Sequence, residues 1–86
     1  MKFADPRLLL FRDDILEIAK AFSLDSENLL VESYIPNNHA ILVETVADHK
    51  FRIHVNLQEW RIVAAKELGS KQLNRALFEK YIEYMK

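Results

Sequence analysis

Two short stretches of alternating apolar and polar residues, 40–47 and 51–56, constrain the fold of this chain most strongly. Successive side chains of a β-strand point to opposite faces, so alternation indicates a strand with one buried face. The segment 48–50 between them carries turn-forming chemistry. A three-residue loop there places the following side chains on one face: Ile41, Val43, Thr45, Ala47, Phe51, Ile53 and Val55. The sequence therefore predicts a hairpin with these side chains turned inward.

A third strand is predicted over 29–35, which is rich in β-branched and aromatic residues and is followed by the turn residues 36–39. The three strands then form an antiparallel meander. The pattern leaves the register of the first hairpin open. In its tighter register, Leu30 and Tyr34 lie on the outer face of the sheet.

Helical spacing precedes the strands. Asp5 and Pro6 form a helix start, and apolar residues then recur at intervals of three and four up to Phe22, which predicts a helix from about 6 to 23. Asp14 and Glu17 have the spacing of a capping box. In the alternative that they indicate, the helix begins at Asp14 and residues 7–12 are extended.

Two more helices are predicted after the strands. Asn56 and Glu59 have capping-box spacing for a second helix, which ends at Gly69, the chain's single glycine. Ser70 then starts a third helix over 71 to about 85. The predicted fold is a single α+β domain over residues 1–86, in the order α-β-β-β-α-α: an N-terminal helix, a three-stranded meander and a C-terminal helical hairpin.

Residue usage excludes several kinds of site. Without cysteine there is no disulfide, catalytic thiolate or cysteine-bound zinc. The three histidines, His39, His49 and His54, lack a ligand spacing, and one glycine cannot build a phosphate-cradling loop. No convergent acid, base and nucleophile set is present, so we expect neither an enzyme nor a metal or cofactor site. Apolar runs of at most four residues predict no membrane span, and the N-terminus lacks the pattern of a secretory signal, so we expect a cytoplasmic protein.

The outer face of the predicted meander is the candidate binding surface, because it too carries apolar residues and an apolar sheet face has to be covered. Helices on both faces, a partner or a second copy can supply that cover. The sequence predicts a non-enzymatic protein-binding module, a small regulator, inhibitor or accessory protein, with a homodimer as the alternative to a separate partner. Its predicted partner-binding residues are Tyr34, Leu42, Glu44, Val46, Arg52 and His54.

A second hypothesis is nucleic-acid binding. The net charge of −1 is unevenly distributed: residues 1–49 carry four Lys and Arg against nine Asp and Glu, whereas residues 50–86 carry eight against four. Ala65 and Gly69, four residues apart and followed by a polar helix, resemble a fragment of the helix-turn-helix signature. That resemblance implies nucleic-acid contact through the 71–86 helix and these residues: Lys66, Lys71, Asn74 and Arg75.

Overall fold

In the computed structural model, which describes residues 1–69 and 74–86, the chain forms a five-stranded sheet whose two helices pack on the same face. The strands are β1 (Lys2–Phe3), β2 (Leu29–Ile35), β3 (His39–Val46), β4 (His49–Asn56) and β5 (Arg61–Leu68). The helices are α1 (Arg12–Ala21) and α2 (Arg75–Ile82), and shorter 3-10 segments span Pro6–Phe11, Ser26–Asn28 and Glu83–Met85. The strands lie in sequence order, with β1 parallel to β2 and every other neighbour antiparallel.

The predicted three-stranded meander and C-terminal helical hairpin are therefore wrong, although the α+β class holds. At the N-terminus, the helical region does begin at Pro6, where the side chain of Asp5 accepts a hydrogen bond from the backbone N–H of Arg7. Its first six residues are a 3-10 helix, and the α-helix starts only at Arg12. The structure thus lies between the two predicted alternatives.

The turn between β3 and β4 is one residue shorter than predicted. Ala47 and Asp48 both have positive φ, 48° and 66°, and Val46 pairs directly with His49. This is the two-residue hairpin turn whose twist suits antiparallel strands. Shortening the loop by one residue turns every side chain of β3 to the other face. The predicted register is consequently wrong.

Strand β5 occupies the segment that was predicted to be the second helix. The side chain of Asn56 accepts hydrogen bonds from the backbone N–H groups of Gln58 and Glu59, as a helix cap would, but here it holds a tight loop. Trp60 then has φ 52°, which no helix allows. The chain returns antiparallel to β4, with a bulge at Val63.

The predicted third helix is shorter in the structure. Helix α2 begins at Arg75, and the side chain of Asn74 caps it by accepting from the backbone N–H of Leu77 (3.2 Å). The predicted start at Ser70 lies outside the described residues. Gly69 has the left-handed φ that was predicted, 70°, but it follows a strand rather than a helix.

The hydrophobic core lies between the helices and one face of the sheet, which we call the core face. Tyr81 of α2 packs on Phe51 of β4, with 5.3 Å between the ring centroids, and Phe22, just after α1, packs edge-on against Tyr84. The buried apolar residues form a single cluster: Ile15, Ile18, Ala19, Phe22, Leu24, Leu29, Val31, Ala40, Leu42, Phe51, Ile53, Val55, Leu57, Ile62 and Tyr81. Neither described helix has the length and apolar character needed to cross a membrane.

Candidate functional site

The six predicted partner-binding residues lie on both faces of the sheet. Leu42 and Glu44 are fully buried on the core face, where they pair with Ile53 and Phe51. Tyr34 and Val46 lie on the same side, partly buried against the core. Arg52 and His54 lie on the opposite side. The structure therefore does not bring the six residues together on one surface.

The side of the sheet away from the helices, the outer sheet face, carries apolar residues together with an excess of positive charge. Among residues 1–69 and 74–86, both helices pack on the core face and none of the buried cluster belongs to the outer side. Four cationic side chains on this face stand against one strand carboxylate, Glu32. The outer sheet face comprises Lys2, Leu30, Glu32, Ser33, Ile35, His39, Ile41, Val43, Thr45, Lys50, Arg52, His54, Ala64, Lys66 and Leu68.

An ion pair braces this face across strand β3. Arg52 lies opposite Val43, and its guanidinium reaches Glu32 on β2 with Nε–Oε1 and Nη2–Oε2 distances of 2.6 and 3.1 Å. These hydrogen bonds from Arg52 lower the pKa of Glu32. Val43 is only 5% exposed although it lies on the outer sheet face. The pair therefore covers Val43 and fixes the middle of the surface.

A groove of about 520 Å³ crosses the outer sheet face beside this brace. Leu30, Val43 and Leu68 contribute apolar side chains from β2, β3 and β5. Lys2 and Lys50 contribute ammonium groups to the lining, and Glu27 and Glu32 contribute carboxylates. Neither lysine forms an ion pair in the described part of the chain. The groove thus combines apolar side chains with two unpaired lysines and with two carboxylates, of which Glu32 is already paired with Arg52.

Two histidines lie together at the other end of the outer sheet face. The rings of His39 and His54 contact edge to face, with 5.4 Å between centroids. The ring nitrogens of His39 lie within hydrogen-bond distance of two side chains: Nδ1 is 2.9 Å from Asn38 Oδ1, and Nε2 is 3.4 Å from Ser33 Oγ. No group of His, Asp and Glu side chains within residues 1–69 and 74–86 is arranged to hold a metal ion. The pair is a polar contact between neighbouring strands.

A second concave site, the acidic cleft, lies where α1 meets the β2–β3 turn and the β4–β5 loop. Its volume is about 330 Å³, and it is lined by Asp14, Glu17, Ile18, Tyr34, Pro36, Asn37, Leu57 and Trp60. The Tyr34 hydroxyl donates to Asp14 Oδ2 at 3.4 Å. Burial, then the negative charge of Asp14, raises the pKa of Tyr34, and the Glu17 charge adds to this. The negative charges of Asp14 and Glu17 are therefore both felt by Tyr34, which lines the cleft.

Glu44 is a buried structural carboxylate rather than a surface group. Its Oε1 accepts from the Tyr81 hydroxyl (2.7 Å) and pairs with Lys80 Nζ (2.8 Å), while Oε2 accepts from the backbone N–H of Asp25 (2.7 Å). Burial, followed by the hydrogen bond to Glu44, raises the pKa of Tyr81. This network joins α2 to the sheet and to the segment before β2.

The residues proposed for nucleic-acid binding do not share a recognition helix. Lys66 lies on strand β5, on the outer sheet face, and Lys71 lies outside the described residues. The side chain of Asn74 is engaged in capping α2, and Arg75 is the first residue of that helix. Because 61–68 is a strand, the helix-turn-helix resemblance has no structural counterpart.

Reasoning from the sequence missed the residues of the groove. Leu30 was assigned to the outer face only in one open register, and Val43 was assigned to the core. Lys50 was placed in a turn, and Leu68 in a helix. The pairing of β4 with β5, which puts Lys50 beside Leu68, brings them together.

No protein family, curated protein or solved structure matches this chain.

Proposed function

We propose that this chain is a protein-binding module whose outer sheet face holds an acidic, partly apolar surface of another protein. The observation that supports this most is the one-sided packing of the helices. Both pack on the core face, so the groove is left open by the described residues, with Leu30 and Leu68 partly exposed in it. Apolar patches of this kind, rimmed by polar residues, are typical of interaction sites.

Charge favours a partner different from this chain. Lys2, Lys50, Arg52 and Lys66 all lie on the outer sheet face, and among the residues that the structure describes only Arg52 has its charge compensated, by Glu32. Two copies facing each other through this surface would bring like charges together, which is unfavourable when they are desolvated. Carboxylates on a partner would instead pair with Lys50 and Lys66, while its apolar side chains occupied the groove.

The rigidity of the surface also suits recognition. Its residues lie on strands rather than on loops, and the Arg52–Glu32 pair spans three strands. A surface that is already ordered loses little conformational entropy when it binds. The function proposed is binding without catalysis, because the sequence lacks a convergent acid, base and nucleophile set.

Selection of a random peptide library on the immobilised protein tests this proposal. We expect enriched peptides to combine Asp or Glu with large apolar residues. The double variant K50E/K66E should weaken their affinity at least about tenfold, because it replaces attraction by repulsion at the rim. The matched control R12E/K20E makes the same charge change on the exposed side of α1 and should alter affinity less than about twofold.

Four results would overturn the proposal. Enrichment of Lys- and Arg-rich peptides, or equal binding to both variants, would show that the outer sheet face is not the site. Competition by a single-stranded DNA oligonucleotide, with an affinity that falls steeply with salt, would favour nucleic acid as the ligand. Self-association in sedimentation that K50E/K66E abolishes would make the occupant a second copy.

A further inference from the structure

The acidic cleft has the chemistry of a site for a long cationic side chain. Asp14 and Glu17 provide two carboxylates, and no Lys or Arg is among the lining residues. Neither carboxylate forms an ion pair within the residues that the structure describes. A cation that entered here would therefore meet uncompensated negative charge.

The remaining lining is apolar and aromatic. Pro36 contributes exposed aliphatic surface, the buried residues Ile18 and Leu57 lie at the base, and Tyr34 and Trp60 contribute rings. Trp60 is 53% exposed. A half-exposed indole beside carboxylates is an arrangement that attracts cations, since the face of the ring carries negative potential.

The position of the Trp60 ring is held by its neighbours. Its indole stacks on Phe22 with 6.1 Å between centroids and 9° between planes. The β4–β5 loop that carries it is tied to the β2–β3 turn by a hydrogen bond from the Leu57 N–H to the Asn38 carbonyl (2.9 Å). With Phe22 behind the indole, the exposed part of the ring is available to a ligand.

We propose that the acidic cleft binds an arginine side chain of a partner polypeptide. The aliphatic stem would lie on Leu57 and Pro36, and the guanidinium would stack on Trp60 while it donates to Asp14 and Glu17. Arginine is favoured over lysine because its planar group can stack on an aromatic ring and donate to two carboxylates together. This site is separate from the outer sheet face and does not depend on the function proposed for it.

Trp60 is the chain's single tryptophan, so its fluorescence reports on the cleft directly. The probe is N-acetyl-arginine methylamide, and N-acetyl-citrulline methylamide is its uncharged counterpart of the same shape. We expect a saturable fluorescence change with the arginine compound that weakens with added salt, and none with the citrulline compound. The lysine analogue should bind more weakly than the arginine compound.

Variants complete the test. D14N/E17Q should raise the dissociation constant of the arginine compound at least about fivefold, because both charged partners are lost. D13N changes a carboxylate in the same first turn of α1 that does not line the cleft, and it should change the constant less than about twofold. An equal response to arginine and citrulline, or unchanged binding by D14N/E17Q with native circular dichroism, would overturn the assignment.

Discussion

Glu44 shows at the scale of one residue how this small core accommodates an ionic group. Its side chain has no solvent exposure, and a buried carboxylate is tolerated only when donors replace its lost hydration. Tyr81, Lys80 and the backbone of Asp25 supply those donors. Removing a single donor leaves the desolvated carboxylate partly unsatisfied, so the network should be sensitive to small changes.

We expect Tyr81→Phe to lower the free energy of unfolding by about 1.5–3 kcal/mol, because it deletes a hydrogen bond to a charged, buried acceptor. Urea denaturation followed by Trp60 fluorescence measures this. Tyr84→Phe is the matched control, since its hydroxyl shares only an exposed hydrogen bond with Ser23, and it should lose less than about 1 kcal/mol. Equal losses in the two variants would contradict the role assigned to Glu44.

Tyr81 also predicts how stability depends on alkaline pH. Burial raises the pKa of its phenol above the ordinary value of about 10, so the folded state favours the neutral form. Its contribution is fully present below that ordinary pKa and is lost as the pH rises above it, because the unfolded chain then releases the proton more readily.

The measurement is urea unfolding at a series of pH values on either side of 10. The unfolding free energy should fall above about pH 10, and the fall should be smaller in Tyr81→Phe. The difference between the two proteins isolates Tyr81 from other groups that titrate in this range. Parallel curves would show that the phenol is not protected in the fold.

At the scale of elements, the sequence predicted strands well where alternation is uninterrupted. Strand β2 has the predicted bounds, and Phe51, Ile53 and Val55 of β4 do face the core. The assignment of Arg52 and His54 to the opposite face follows from the same alternation. The side chains of β3 were assigned to the wrong faces of the sheet. The cause is that Ala47 and Asp48 lack the Asn-Gly signature of a two-residue turn, so a longer turn was predicted.

The mistaken helix at 57–68 has an equally specific cause. The helix was predicted from the capping-box spacing of Asn56 and Glu59 and from apolar residues at helical intervals, Leu57, Trp60, Ala64 and Leu68. In the structure it is Ile62 and Ala65, three residues apart, that both face the core. The bulge at Val63 adds one residue between them and so restores them to the same face of a strand. Bulges depend on the neighbouring strand, and a pattern read along one segment cannot distinguish this case from a helix.

The two-residue turn offers a test at this scale. We expect A47N/D48G to raise the free energy of unfolding by about 1 kcal/mol or more, since Asn and Gly adopt positive φ with less strain than Ala and Asp. Urea midpoints measure the change. Ala64→Gly, on strand β5, should instead lower stability by about 0.5–1 kcal/mol. Destabilisation by A47N/D48G would show that the turn has another conformation.

For the whole molecule, the uneven charge along the sequence becomes a separation in space. The basic second half supplies Lys50, Arg52 and Lys66 to the outer sheet face. The acidic first half supplies Asp14 and Glu17 to the cleft, near the opposite ends of β2 and β4. The sequence revealed the imbalance but not its geometry, because neither the fourth antiparallel strand nor the placement of both helices on one side could be read from local patterns.

Because both helices pack on one side of the sheet, only that side contributes side chains to the buried core described above. Substitutions among the side chains beneath the helices disturb the folded state, whereas many on the far side leave it intact. Side chains on the far side of the strands can therefore be exchanged while those beneath the helices continue to maintain the architecture.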